Sequence, residues 1–546
     1  MKWPAATMCA LMAAACALAA FPAAQEQGQS ALAADTKVSD DDLLAQPVSA
    51  NWTSYNGDYT GRRFSSLQEI NVANVVKMQA AWVFHPGNSQ RLEVTPVVVR
   101  GIMYVTSAND AFALDARTGR ILWHHQRPDS PGLLDDAAAH KNRGVAVWQN
   151  SVYMETDDAH LLSLDARSGS LRWDVEYADK TKSYGATSAP LVVKNSVIVG
   201  TSGGDSGVRG FVAAYDAATG SLKWRLWTIP GPGEFGSSSW PGDAYLHGGA
   251  TTWMPGTYDP ALNTLYWTTS NPAPDFIGDT RPGDDLYTAS VLAIDPDTGK
   301  MKWYFQFTPH DLYDYDANET PVLVDVADSG AVRHLLLQAN RNGFFYVLDR
   351  TNGKFLHATP FVEKLNWAKS IDSSGRPLLT GRIPAKDGTY ICPGIDGATN
   401  WFSPSYNPQT GLFYVMALEA CNLYFAEPKP FVAGQTYYDT GTKLPPDEHS
   451  QKILLALSLD GKTAWRYPQT GQGNSWGGTL TTAGGLVFFG DDAGSLEGVE
   501  ATTGRPLWHF NTGQGMRASP MTYAIDGVQY VAIGAGSSLF TFALPR

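Results

Sequence analysis

The stretch TPHDLYDYDANE carries Asp314 and Asp316 with a single residue between them. In an extended chain such neighbours point to the same side, and two carboxylates held together repel unless a cation lies between them. An oxygen-seeking metal ion is therefore the first chemistry expected. A second stretch, TSGGDSGVRG, sets Asp205 behind Ser202, Gly203 and Gly204. A glycine pair lets backbone approach a flat ring closely, and an Asp beside it is equally the material of a plain surface turn.

The elements that must hold these residues show themselves as a repeat. ALDARTGRILW ends at Trp123, SLDARSGSLRW at Trp173, AYDAATGSLKW at Trp224, AIDPDTGKMKW at Trp303 and GVEATTGRPLW at Trp508, with an acid eight residues before each Trp. Each copy reads as a strand running into a Thr-Gly or Ser-Gly turn and out into a strand whose Trp wedges against the neighbouring unit. Weaker copies lie at Trp465 and at the Gly353 turn, and a first Trp stands at Trp82. Eight units in the mature chain leave roughly 60 residues each, the size of a four-stranded propeller blade with insertions. The expected fold is thus all-β, an eight-bladed β-propeller with tryptophan-docking repeats. Long spacings from Trp224 to Trp303 and from Gly353 to Trp465 call for inserted loops, which is where such a fold carries its site.

Composition agrees. The 546 residues are 43% hydrophobic and 17% charged, with 53 Gly, 33 Pro, 24 Tyr and 17 Trp, a balance favouring short strands and tight turns. Forty basic against 53 acidic residues give a net charge of −13, which argues against a nucleic-acid partner and suits a basic protein partner. The opening MKWPAATMCALMAAACALAAFPAA reads as a secretory signal within residues 1–34, cleaved somewhere in 24–34, rather than as a transmembrane segment. A single domain is expected over 35–546. Cys9 and Cys16 belong to the leader, so Cys392 and Cys421 remain and suggest one disulfide in an oxidising compartment. The sequence has no CxxCH for a c-type haem.

Taken together, NWTSYNGDYTGRRFSSLQEINVANV, the Trp repeats, SGGDSGVRG, GGATTW, TSNPAP, RPGDDLYT, TPHDLYDYD and RNGFFYVLDR resemble the pyrroloquinoline quinone (PQQ)-dependent alcohol dehydrogenases. These are periplasmic eight-bladed propellers with a metal ion and the quinone on the central axis. The resemblance implies PQQ and one metal ion, calcium or a lanthanide, as cofactors. It assigns Asp205, Asn271, Asp314 and Asp316 to the metal and makes Asp314 the general base. Arg341 matches the Arg at the reactive quinone carbonyl, Trp253 the indole floor under the ring and Thr251 a contact to its edge. Trp253 lacks the acid and Thr-Gly of the docking repeat, in keeping with stacking. Glu93, Arg143, Thr187, Ser202, Gly203, Gly204, Asn400 and Trp476 match further cofactor contacts, and Cys392 and Cys421 the family's structural disulfide.

Three departures stand out. Asp205 replaces a Glu and is one methylene shorter. Ala137 and Ala138 stand where the family has adjacent cysteines. Asp316, a second carboxylate, resembles the branch that uses a lanthanide. The expected activity is oxidation of an alcohol to an aldehyde or ketone, with electrons passed to a soluble cytochrome c or another external acceptor. The lost cysteines and the small Gly236, Ser237, Ser238 and Ser239 hint at secondary or bulky alcohols. The competing expectation is a non-catalytic propeller scaffold of the cell envelope, which would need no axial carboxylates.

Overall fold

The computed structural model describes residues 36–546 apart from 88–90, 135–136, 139, 329, 438–440 and 472–475; the leader, its cleavage point and Cys9 and Cys16 lie outside the described residues. The fold is an all-β propeller. Among the described residues eight sheets have four or five strands: seven are built from strands within 97–125, 146–176, 191–227, 257–306, 322–360, 405–468 and 479–511, the last extended in parallel by Phe64–Ser65. The eighth joins Gln79–Phe84 to three strands within 521–543.

The repeat is explained by one local device. Asp216 accepts the backbone N–H groups of Ala218 and Thr219 at 3.1 and 3.0 Å, and Asp295 those of Asp297 and Thr298 at 2.9 and 3.0 Å, so the acid ties the turn. The turn glycine has φ near the left-handed region, +71° at Gly299. Its missing side chain is also what the preceding sheet requires, because a Cβ on Gly299 would lie 2.6 Å from the Trp224 ring. Trp82, Trp123, Trp303 and Trp465 sit in the same way against Gly119, Gly169, Gly353 and Gly504. Indole N–H groups complete the contact, Trp123 to the Ala166 carbonyl at 3.0 Å, Trp224 to Pro296 at 2.8 Å, Trp465 to Ala501 at 3.0 Å and Trp508 to Met78 at 2.9 Å.

The Gly353 unit departs from the pattern. Eight residues after Asp349 stands His357, whose ring nitrogen meets the Leu459 carbonyl at 3.0 Å, while Thr359 covers Gly461. His357 therefore does in that sheet what an indole does in the others.

The two expected insertions are present. Residues 228–256 are mostly irregular, with short 3-10 turns at Ser237–Ser239 and Ala244–Leu246. Between Lys354–Pro360 and Gln451–Leu457 lie two small sheets, Ala368–Ile371 with Pro377–Leu379, and Thr389–Ile391 with Asn422–Phe425 and Gly441–Lys443. Cys392 and Cys421 form a disulfide inside this second insertion.

One buried acid makes stability depend on pH. Glu155, on the strand Ser151–Glu155, is buried and accepts a hydrogen bond from the Tyr177 hydroxyl at 2.8 Å. Burial pushes its carboxyl up from 4.5 to about 8. Between these values the folded chain keeps a proton that the unfolded chain has released. The stability from this group is therefore complete below the unfolded value and is lost as pH rises through the folded one. We expect the urea midpoint to fall between about pH 5 and about pH 9, and Glu155→Gln to fall distinctly less. Parallel declines in the two proteins would show that Glu155 does not titrate in this way.

Candidate active site

A cavity of about 350 Å³ opens among the sheets, and every site residue expected from the sequence lines it. Asp205 lies in the one-turn helix Gly204–Ser206, which follows the strand Ser196–Val199. The glycines before it have a reason other than room for a flat ring. Gly203 has φ of +96°, and a Cβ there would meet the Ser183 carbonyl at 2.2 Å; one on Gly204 would meet Thr251 Oγ1 at 2.9 Å. Packing against the chain itself thus also asks for glycine at both positions. The Ser202 hydroxyl donates to the carbonyl of Ala137, which, like Ala138, is buried.

Asp314 and Asp316 do converge, by a route other than the extended chain expected. The Asp311 carboxylate accepts the N–H groups of Tyr313 at 2.9 Å and Tyr315 at 2.8 Å, bracketing Asp314, whose φ is +60°. From that turn both carboxylates reach Arg341. Its Nη2 lies 3.3 Å from Asp314 Oδ2 and its Nη1 2.7 Å from Asp316 Oδ2, while Nη2 also donates to the Ile395 carbonyl at 2.6 Å. Asp316 Oδ1 accepts the Asn271 N–H at 2.7 Å. The cation between the two acids is thus a guanidinium, and among the described residues no group of three or more His, Cys, Asp or Glu is closely enough arranged to hold a metal ion.

The electrostatics show how crowded the acids are. Burial drives the Asp314 carboxyl well above the usual range; Arg341 pulls it down, and Asp316 and Asp205 push it up. Burial raises Asp316 to about 6, with Arg341 lowering it and Asp205 raising it. Asp205 is therefore near enough to act on both. Burial opposes the charge of Arg341, and Asp314, Asp316, Glu319 and Asp396 together outweigh it.

Across the cavity Arg143 pairs with Glu93 at 2.8 Å, donates to the Thr187 carbonyl at 3.0 Å, and lies 5.1 Å from the Trp253 ring and 4.4 Å from the Trp401 ring. Thr251 is fixed by Ser270, whose Oγ accepts its N–H at 2.8 Å. Asn318, with its amide turned to satisfy both ends, accepts from Trp253 Nε1 at 2.5 Å. Asn400 Nδ2 donates to the Asp396 carbonyl at 2.9 Å, and the Trp476 N–H to the Met516 carbonyl at 2.6 Å.

The insertion stapled by the disulfide delivers part of the wall. Tyr315 donates to the Pro393 carbonyl at 2.7 Å, so the segment after Cys392 is anchored to the Asp314 turn and brings Ile395, Asp396, Asn400 and Trp401 to the cavity. Sequence reasoning missed Arg91, Lys141, Ile395, Asp396, Trp401 and Arg517 as lining residues. Trp401 was the most accessible of these, since it directly follows Asn400. Gly236 to Ser239 do not line the cavity; Ser239 Oγ instead accepts the Asp285 N–H at 3.2 Å.

Known proteins place this arrangement. The family model for the β-propeller domain of PQQ-dependent glucose, ethanol and alcohol dehydrogenases matches residues 52–364 and 457–531. The chain is 40% identical over 516 residues to the quinohemoprotein alcohol dehydrogenase ADH IIB of Pseudomonas putida, covering 90% of this chain and 74% of that one. It is 35% identical over 534 residues to a lanthanide-dependent methanol dehydrogenase of Methylacidiphilum fumariolicum, covering 92% and 87%. The crystal structure of quinohemoprotein alcohol dehydrogenase from Comamonas testosteroni superposes with a TM-score of 0.88 at 36% identity, over 95% of this chain and 84% of that one.

Proposed function

Because the chain belongs to the PQQ-dependent alcohol dehydrogenase family, we propose that it is an exported quinoprotein whose cavity oxidises an alcohol, with Asp314 as general base. The observation that carries this reading is the convergence of Asp205, Asn271, Asp314, Asp316 and Arg341, far apart in sequence, on one cavity with Trp253. A non-catalytic scaffold would have no use for that set. The propeller is read as a closed ring of eight blades. The succession of Trp and His357 contacts supports it, since Trp508 reaches Met78 and Trp82 reaches the Ala116 carbonyl at 3.2 Å.

The chemistry of the donors suits both cofactors, with the acids gathered on Arg341 rather than closed round an ion. Arg143 Nε and Arg341 Nε are buried with no hydrogen-bond partner among the described residues, which suits a planar ligand rich in acceptors. Three acids grouped with one guanidinium raise one another's affinity for positive charge, which suits a cation among Asp205, Asn271, Asp314 and Asp316. Calcium and a lanthanide are the candidates; Asp316 as a further anionic ligand favours the trivalent ion, and the shorter Asp205 works against it.

When bound, PQQ supplies an electrophilic carbonyl that accepts a hydride, and the metal supplies Lewis acidity. The chain does the rest. Asp314 takes the hydroxyl proton of the alcohol. Arg341 holds Asp314 and Asp316 in place and offers positive charge where an oxyanion develops. Trp253 provides the face on which a ring lies. Electrons leave to an external acceptor such as a soluble cytochrome c, toward which the charge of −13 steers a basic surface.

The test is reconstitution of purified apoprotein with PQQ and either calcium or a light lanthanide, assayed by dye-linked oxidation of primary, secondary and polycyclic alcohols. We expect metal-dependent activity that a chelator removes. Lanthanide activity abolished by Asp316→Ala assigns Asp316 to the metal; activity with calcium alone makes it a supporting residue. No quinone binding under any condition would defeat the reading.

A further inference from the structure

We propose that Phe431, His247 and Tyr437 are positioning residues for Asp205, a clamp that the two inserted loops close on the turn carrying that carboxylate. The proposal rests on the reading of Asp205 as a metal ligand and deepens it by naming what sets its place.

Asp205 lines the central cavity from the one-turn helix Gly204–Ser206, a piece too short to hold its own position. On the cavity side, where Thr251 also lies, the helix is already in contact, since a Cβ on Gly204 would meet Thr251 Oγ1 at 2.9 Å and Ser270 Oγ at 3.3 Å. The residues that follow Asp205 border a different space. Ser206 and Gly207 line a second cavity of about 530 Å³, whose wall also includes His247 and Phe431. A short turn that borders a cavity can retreat into it unless something braces it.

The brace comes from outside the repeats. Gly207 has φ of +71°, and a Cβ there would lie 2.8 Å from Phe431 Cε2 and 3.3 Å from Tyr437 Cδ1, so both rings bear on the backbone of the turn. The Tyr437 N–H donates to the Asp205 carbonyl at 2.5 Å, which ties down the residue itself. His247 Nδ1 donates to the Gly207 carbonyl at 3.1 Å, and its ring stacks on Phe431 with centroids 3.7 Å apart. Phe431 in turn meets Tyr437 edge-on at 5.5 Å. His247 belongs to the irregular stretch 228–256, whereas Phe431 and Tyr437 lie between the strands Asn422–Phe425 and Gly441–Lys443. Two insertions far apart in sequence thus meet on Asp205 and Gly207 and are joined to each other by the stacked pair.

The short side chain of Asp205 gives this clamp a task. Aspartate has fewer torsions than glutamate with which to follow an ion, so its reach is set by where the backbone of the turn stands. Partners that orient a metal ligand without touching the ion alter metal affinity by about 10-fold to 100-fold.

The test titrates lanthanum and calcium into the PQQ-reconstituted protein by calorimetry for the wild type, Phe431→Ala, Phe431→Leu, His247→Ala and Asp205→Ala. Thermal midpoints check folding, and quenching of tryptophan fluorescence by PQQ without metal checks the rest of the cavity. Phe431→Ala and His247→Ala are expected to weaken metal binding about 10-fold to 100-fold with quinone affinity unchanged. Phe431→Leu, which keeps most of the bulk, recovers part of the loss and carries the test if Phe431→Ala does not fold. A sharper readout adds Asp205→Glu. Without the Phe431 ring the turn can retreat and the extra methylene makes up the distance, so the double variant binds metal more tightly than Phe431→Ala alone, and the two effects are not additive. Strict additivity, or quinone affinity falling in step with metal affinity, would show general loosening and overturn the proposal. Unchanged metal affinity in the Phe431 and His247 variants, with Asp205→Ala weakened, overturns the clamp alone and leaves Asp205 a ligand. If Asp205→Ala binds metal as the wild type does, or the wild type binds neither ion, the ligand reading of Asp205 falls and the clamp falls with it.

Discussion

Replacing Asp314 with Asn is expected to lower kcat for alcohol oxidation by about 10³-fold while leaving quinone affinity within a factor of two or so, the general-base contribution being on the order of 10²–10⁴. The substitution is unusually clean. Asp314 sits at φ of +60°, a conformation in which Asn is among the best tolerated residues, and the turn is held from outside by the Asp311 carboxylate. Asn keeps an oxygen for the Arg341 Nη2 that now lies 3.3 Å from Asp314. What is lost is the ability to accept a proton and one anionic charge at the proposed metal position, so the rates are compared at saturating metal. Dye-linked rates and fluorescence quenching, measured on the same reconstituted protein, separate chemistry from binding. A variant retaining more than about a tenth of wild-type kcat would move the role of base elsewhere.

The second large effect falls on stability. Trp224→Ala is expected to cost about 3–5 kcal/mol, as for other buried aromatic truncations. The indole is buried, lies over Gly299 of the next sheet and donates to the Pro296 carbonyl at 2.8 Å, so its loss leaves a cavity and an unpaired acceptor between two sheets. Gly299→Ala is destabilising for the complementary reason, its Cβ falling 2.6 Å from that ring at φ of +71°. The double variant distinguishes contact from coincidence. Once the ring is gone the clash is gone, so the combined cost falls short of the sum of the single costs. Denaturant midpoints measure all three, and strict additivity would show that Trp224 and Gly299 do not dock.

Much of this architecture was legible in advance because docking imposes a sequence rule. An acid to tie the turn, a glycine beneath the neighbour's ring and an indole eight residues after the acid are each required by one contact. His357 obeys the spacing with a different side chain, so a Trp pattern does not find it. The site was legible for a different reason, since Asp205, Asn271, Asp314 and Arg341 follow one another in an order that a family resemblance supplies. Their local geometry was less so. The spacing of Asp314 and Asp316 suggested a shared face of extended chain, whereas the structure uses a left-handed turn set by Asp311, a local hydrogen-bonding device that the spacing alone does not reveal. Arg91, Lys141 and Arg517 carry no such rule. Arg91 and Lys141 each stand two residues before an expected lining residue, Glu93 and Arg143, which is a weak signal, and Arg517 has no such neighbour.

The sheet that joins Gln79–Phe84 to Ser538–Ala543 has a consequence for the order in which the molecule is built. Apart from Phe64–Ser65 on the 479–511 sheet, strands within the other sheets lie nearer one another in the chain and can pair sooner after they are made. This one brings together segments separated by almost the whole described chain, so its closure entropy is met last, after the other sheets have stacked. Until residue 543 is in place, Gln79–Phe84 presents an unpaired strand edge. Premature docking or aggregation at that edge is the characteristic hazard of so late a pairing. A chain folding outside the cell's ATP-driven chaperones would meet that hazard with few helpers, and the net charge of −13, which keeps incomplete chains apart, is a modest defence against it.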